Sequence, residues 1–237
     1  MESIWTLLSF GDQGWSDEIA HGTLVTVGLA LVTLPFGLIL GFFVALAKDI
    51  GEPSLRRAAE IYTTIFRGLP ELLTLFIVYY GVQIIFRQIL SLFVESPTIE
   101  INSFVAGMVA LGLVFSSYSS EAFLSAFKAI PRGQYEGGHA VGLSSFQTMW
   151  LIILPQLIRL ALPALSNLWL ILLKDTAYVS VIGLADILRQ AGIAARVSKQ
   201  AFLFFGVACL IYLVLAIISS FALGWIERWS ARGEAAR

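Results

Sequence analysis

Charge is scarce in this 237-residue chain: only 13% of its residues are Asp, Glu, Lys or Arg, against roughly 25% in ordinary soluble domains. The 15 basic and 16 acidic residues cancel to a formal charge of −1, which leaves no basic field to hold phosphates and excludes nucleic acid as a partner. The single cysteine, Cys209, excludes an internal disulfide or a CxxC centre. The two histidines, His21 and His139, stand far apart in sequence and make a protein-built zinc centre improbable. No G-x-x-x-x-G-K-[ST] run is present, so the chain lacks the loop that cradles nucleotide phosphates. What is abundant is apolar surface, with AVILMFWYC at 58% and a mean hydropathy of +0.84. No soluble globule hides that much, and the composition describes an integral membrane protein.

A membrane helix needs about 20 mostly apolar residues. Five stretches qualify: 22–47, 72–94, 101–120, 150–173 and 201–226. Residues 1–21 contain no Lys or Arg, and the first apolar stretch exceeds the roughly 7–15 residues of a signal-peptide core, so it is expected to remain uncleaved. Arg87 and Arg159 lie within apolar stretches and are expected near span ends, snorkelling to the interface. Gly37 and Gly41 have the spacing that lets two helices approach closely, and Pro35 removes a helical hydrogen bond beside them. Cys209 and Met108 are read as core residues.

Five spans put the two termini on opposite sides. Lys48, Arg56, Arg57, Arg67, Lys128, Arg132, Arg228, Arg232 and Arg237 give nine basic residues on one side, against five on the other: Arg87, Lys174, Arg189, Arg196 and Lys199. The excess marks the cytoplasmic face, so the N-terminus is expected in the periplasm and the C-terminus in the cytoplasm. Segment 174–200 is too basic for a short outer loop, and its apolar core, 177–188, is too short to span and holds Asp186. It reads as a broken or interfacial helix, tolerated at depth only where protein or a wet path surrounds it.

The segment between the third and fourth spans has strong local punctuation. Ile130-Pro131-Arg132-Gly133 is a turn signal, and residues 134–141 suit two helical turns stopped by Gly142. Ser144 precedes Gln147 at the spacing of a capping box, opening a second helix that runs into the fourth span. The expected element, about 130–149, is a helix, a glycine hinge and another helix at the cytoplasmic surface.

Glu136-Gly137-Gly138, then Gly142, then Ile152-Ile153-Leu154-Pro155 resembles the EAA loop of ABC-importer permeases, with glycines in place of both alanines. Each glycine costs a helix interior roughly 1 kcal/mol relative to alanine. Tyr62, Arg67-Gly68, Pro70 and Leu72 with Tyr79-Tyr80-Gly81 are similar to the Y-x-x-x-x-R-G-x-P-x-L…YYG segment of polar amino-acid permeases, the histidine and opine branch. Ser117-Tyr118-Ser119-Ser120-Glu121 resembles that family's A-Y-x-x-E. Leu173-Lys174-Asp175-Thr176 with 179–184 is similar to its L-K-x-T/S-x-L-V-S-x-x-G-L stretch, with Tyr178 where leucine is usual. The similarity runs over about residues 22–229.

The resemblance implies an all-α membrane protein, a type I importer permease formed as one domain over 1–237. Its expected role is to move a polar amino acid or derivative, a basic amino acid or opine included, across the inner membrane without enzymatic activity of its own. The implied partners are a second permease subunit, identical or homologous, two cytoplasmic ATPases, a periplasmic solute-binding protein and membrane lipid. No cofactor is expected on this chain, ATP and Mg being used by the ATPases. Gln134, Tyr135, Glu136, Gly137, Gly138, Gly142 and Leu143 are the expected coupling residues. His139 reads as a polar residue of the same helix. Lys174, Asp175, Thr176 and Glu121 are candidates for the path or gate, with Glu121 expected to pair with Lys128 or Arg132 and Asp175 with Lys174. A channel would need a TVGYG-like filter or an Arg-rich sensor, and neither is present. An intramembrane enzyme would need a base for Ser116, Ser117, Ser119 or Ser120, and no histidine falls in any of the five expected spans.

Overall fold

The computed structural model describes residues 4–11, 14–92 and 102–231. Its helices are α1 (Ile4–Leu7), α2 (Ser16–Ile50), α3 (Pro53–Gly68), α4 (Glu71–Leu90), α5 (Ser103–Ala129), α6 (Arg132–Ala140), α7 (Ser145–Thr148), α8 (Leu154–Asp175), α9 (Ile187–Ser198) and α10 (Ala201–Ala231). A π turn, Met149–Ile153, joins α7 to α8, and a 3-10 turn, Thr176–Ile182, follows α8. Among the described residues no strand occurs, and five helical stretches are long and apolar enough to cross a membrane: Ser16–Ile50, Glu71–Leu90, Ser103–Ala129, Ser145–Ile182 and Ala201–Ser230. Residues 93, 94 and 101, at the ends of the expected second and third spans, and Arg232 and Arg237 lie outside the described residues.

The bundle is organised around α5, the most buried of the five. The glycines of α2 explain the tightest contact. A Cβ on Gly37 would lie 2.5 Å from the Phe115 ring, and one on Gly41 would fall among Ser116 and Ser119. The two helices therefore run parallel, backbone close to backbone, and Ser119 Oγ donates to Gly37 O at 3.3 Å. α2 continues through Pro35 without interruption.

Three apolar clusters fill the interior. Leu29, Leu75, Ala106, Ala110, Leu172 and Val179 join α2, α4, α5, α8 and the 3-10 turn. Ala45, Phe123, Phe127, Ile153, Leu157 and Ala161 join the opposite ends of α2, α5 and α8. A third cluster seats α1 and α9 on α10 through Leu7, Ile187, Ala191 and Phe204. Met108 is half-buried against the first cluster, whereas Cys209 is exposed on α10. That corrects its reading as core: α10 is apolar all round, so composition gives no sign of which face turns inward.

Candidate functional site

The hairpin between α5 and α8 is built by local rules. Pro131 stands at the N-cap of α6, where its missing N–H costs nothing. At the other end Gly142 takes φ +86°, its N–H donates to His139 O at 3.0 Å and Leu143 N donates to Gly138 O at 3.1 Å. These paired bonds satisfy the last carbonyls of α6 and require a residue that tolerates the left-handed region. Ser144 and Gln147 form the reciprocal capping box, with Ser144 N donating to Gln147 Oε1 at 2.9 Å and Gln147 N to Ser144 Oγ at 3.3 Å. The helix starts two residues earlier and ends one residue earlier than expected.

The two glycines of the hairpin have unlike surroundings. A Cβ on Gly138 would meet Thr148 Cγ2 and Oγ1 at 2.6 Å, while a Cβ on Gly137 would meet nothing within 4 Å. Gly138 thus lets α6 lie flush on α7, and Gly137 has no packing reason to be glycine. Gln156 Nε2 donates to Gln134 Oε1 at 3.1 Å and to Ile152 O at 2.8 Å, tying α6 to the start of α8. Tyr135 is half-buried against the second cluster, and burial, followed by the negative charge of Asp49, pushes its hydroxyl above the ordinary phenol range. Glu136 is exposed, as are Val141 and Phe146 of the same hairpin, at 75% and 71%. A hairpin that shows both a carboxylate and large apolar side chains suits a protein contact. His139 Nδ1 lies 3.2 Å from Leu143 O, within the same hairpin.

Glu121 corrects a sequence expectation. Its partners are Lys48, 2.6 Å away and 7% exposed in its side chain, and Arg67 at 3.3 Å, not Lys128 or Arg132. Lys48 also donates to Thr63 Oγ1 at 2.6 Å. Lys128 and Arg132 are near in sequence, but the parallel packing of α2 on α5 carries the end of α2 to Glu121, and α3 lies across both. Tyr62 donates to Leu113 O at 3.0 Å and shares a 2.6 Å hydrogen bond with Ser116, and burial holds its hydroxyl above its ordinary value. Sequence reading assigned neither Lys48 and Thr63 to Glu121 nor Tyr62 to Ser116. Its one available signal was a lysine at the end of an otherwise uncharged span.

The end of α8 separates its three candidates. Lys174 is exposed, Asp175 is partly buried, and Thr176 is fully buried with its hydroxyl donating to Leu173 O at 2.7 Å. Among the described residues no ion pair joins Lys174 to Asp175, because consecutive helical positions point about 100° apart. The chain then turns at Gly183, φ +97°, and restarts at α9, where the Asp186 carboxylate accepts from Arg189 N at 2.9 Å. Asp186 is fully buried, and burial pushes its carboxyl up to about 6. α2 admits it: a Cβ on Gly22 would sit 2.8 Å from Asp186 O, and Ile187 N donates to Thr26 Oγ1 at 3.3 Å. Segment 174–200 is thus a broken helix, one of the two forms its sequence left open.

One pattern on α8 escaped the sequence reading although it is periodic. The polar residues Arg159, Asn167 and Lys174 are all exposed and, at about 100° per residue, fall along one face, with exposed Pro163 between them. A polar stripe on a membrane-crossing helix faces protein or water, not lipid.

The chain is thus a bundle of helices long and apolar enough to cross a membrane, carrying a capped helical hairpin. Residues 34–232 match the family of binding-protein-dependent transport system inner membrane components, and the chain belongs to that family. It is 38% identical over 229 residues to the nopaline transport system permease protein NocQ of Agrobacterium fabrum, covering 96% of this chain and 97% of that protein. Against the arginine ABC transporter permease protein ArtQ of Haemophilus influenzae the identity is 38% over 207 residues, covering 86% and 89%. The histidine/lysine/arginine/ornithine permease protein HisQ of Salmonella typhimurium is 36% identical over 216 residues, covering 91% and 94%. Among solved structures, an amino acid ABC transporter crystallised with histidines superposes with a TM-score of 0.76 at 30% identity, over 90% of this chain and 94% of that one. The MetNI methionine transporter, at 19% identity and a TM-score of 0.71, shares the fold. This chain is an ABC-importer permease subunit of the inner membrane, crossing it several times.

Proposed function

We propose that the chain carries a polar amino acid or an amino-acid-derived opine inward, with the N-terminus periplasmic and the C-terminus and the α6–α7 hairpin cytoplasmic. The substrates for which its relatives are named, nopaline, arginine and the basic amino acids, support that solute class. The permease pairs with a second, identical or homologous, permease subunit, receives solute from a periplasmic binding protein and performs no covalent chemistry. Two cytoplasmic ATPases bind ATP and Mg.

The observation that carries this reading is the exposed hairpin, capped at both ends and continuous with α8. Glu136, with Gln134, Tyr135, Gly137, Gly138, Gly142 and Leu143 shaping its helix, contacts the ATPase, and the Gln134–Gln156 bond passes the movement to α8. The α8 stripe, ending at Lys174, lines the path. Asp175 and Thr176 shape the end of that helix, and Glu121 acts as a latch between α2, α3 and α5, not as a solute ligand.

Glu136→Lys is the direct test. Reversal of one exposed charge leaves insertion and subunit assembly intact while solute-stimulated ATP hydrolysis falls strongly. Equal uptake and hydrolysis in mutant and parent would remove the coupling assignment. Reporters fused after Ser96 and after Gly137 should read periplasmic and cytoplasmic; one side for both would overturn the topology.

A further inference from the structure

The face of α8 turned away from its polar stripe borders a long apolar cavity of about 1380 Å³ between α2, α8 and α10. Leu154, Ile158, Leu162, Leu165 and Trp169 supply the α8 wall, at spacings of three and four that turn them on average about 100° from Arg159 and about 150° from Lys174. Phe42 of α2 and Leu223 of α10 supply facing walls. Polar groups are densest at one end, where Tyr135, His139, Ser145 and Thr148 of the hairpin close the cavity, with Ser166 of α8 and Ser219 of α10 further along its walls.

These two faces of one helix demand different neighbours. The reading of the stripe as path-lining, on which this inference rests, places protein or water beside Arg159 and Lys174. The opposite face then points outward to the bilayer. An apolar slot there does not fill with water, which needs polar partners, and an empty one forfeits the dispersion contacts of its walls. A hydrocarbon chain satisfies the walls, and its polar headgroup meets the cluster of hydrogen-bonding groups at the hairpin end. We propose that this groove holds the acyl chains of a cytoplasmic-leaflet phospholipid whose headgroup rests on the α6–α7 hairpin. The lipid then forms part of the surface against which the coupling helix moves.

The test uses the assembled complex in native membranes, with a benzophenone amino acid placed at Ser219, which lines the groove, or at Phe221, which is 74% exposed on the same helix. Irradiation after washing in delipidating detergent should leave a phospholipid adduct at 219 and none at 221. Ala222→Trp or, from the facing wall, Leu162→Trp should abolish the adduct at 219 in complexes that still co-purify with their partners. A crosslink from 219 to another protein subunit would overturn the proposal and assign the groove to that subunit. Loss of the adduct at both positions would overturn it as well, showing only exchangeable bilayer lipid, as would an adduct that both tryptophan variants leave unchanged. A cysteine at Asn167 reads the path assignment separately. If it resists a water-soluble thiol reagent throughout the transport cycle the path reading fails, whatever is found at 219.

Discussion

Two interruptions of the bundle, the hairpin over 130–149 and the break over 174–187, look alike in outline and have different origins. Each stops one helix with a left-handed glycine, Gly142 or Gly183, and restarts another with a side-chain cap, Ser144 or Asp186. The hairpin's signals satisfy one another within a few residues: Pro131 with α6, Gly142 with His139, Ser144 with Gln147. The break depends on α2, since Asp186 is buried against Gly22 and Ile187 donates to Thr26, more than 150 residues away. A locally satisfied turn suits a part that moves as a unit against a partner. A turn held by a distant helix suits a fixed point of the bundle.

The largest expected effect lies at neither interruption but in the contact that holds α2 and α3 to α5. Glu121→Ala leaves Lys48 buried without its carboxylate. Breaking a fully buried pair costs about 3–5 kcal/mol, and the exposure of Glu121 puts this change toward the lower end. Thermal unfolding of the detergent-solubilised complex should show the loss, and Glu121→Asp should recover part of it. An unchanged midpoint would mean that the bundle, not the ion pair, holds α3.

Gly22→Val tests the dependence of the break on α2. The new side chain meets Asp186 backbone, which has no rotamer to give, so a cost of about 1–3 kcal/mol from overpacking is expected. Proteolysis near 183–186 should accelerate while cleavage near Gly142 stays constant. Faster cleavage at both sites would erase the distinction between them.

Within the hairpin, the neighbouring glycines should respond with opposite sign. Gly138→Ala drives a methyl into Thr148 and should destabilise the hairpin, whereas Gly137→Ala, in open space, should stabilise α6 by up to about 1 kcal/mol. Hydrogen exchange of the α6 amides measures both; the same sign for the two would refute the packing reason for Gly138. The smallest effect is expected from Ser144→Ala, about 1 kcal/mol through loss of the cap. It should appear as faster exchange at Gln147 with no change around Asp186.

How much was legible in advance follows the same division. The hairpin could be read to within two residues because its caps and stops are neighbours in sequence. Five spans could be read because twenty apolar residues are a bulk property of the chain. The partners of Glu121 could not, since the candidates near it in sequence lost to Lys48 and Arg67, which the α2–α5 contact and α3 deliver. The exposed side of α10, with Cys209 on it, was equally hidden, because a helix apolar all round gives no moment to read.

The sequence by itself determined that this chain is a membrane protein, where its apolar spans lie, and the shape of the hairpin over 130–149; the likeness of its motifs to a known family added the permease reading. The first three rest on composition or on contacts between residues a few positions apart. Only the tertiary structure decided that Glu121 is held by two cations, that Lys174 is exposed while Thr176 is buried, and that α8 has a polar face and a grooved apolar one. Which side chains meet across helices depends on how parallel helices slide and rotate against one another. That is set by close contacts such as Gly37 on Phe115 and Gly41 on Ser119, between residues dozens of positions apart.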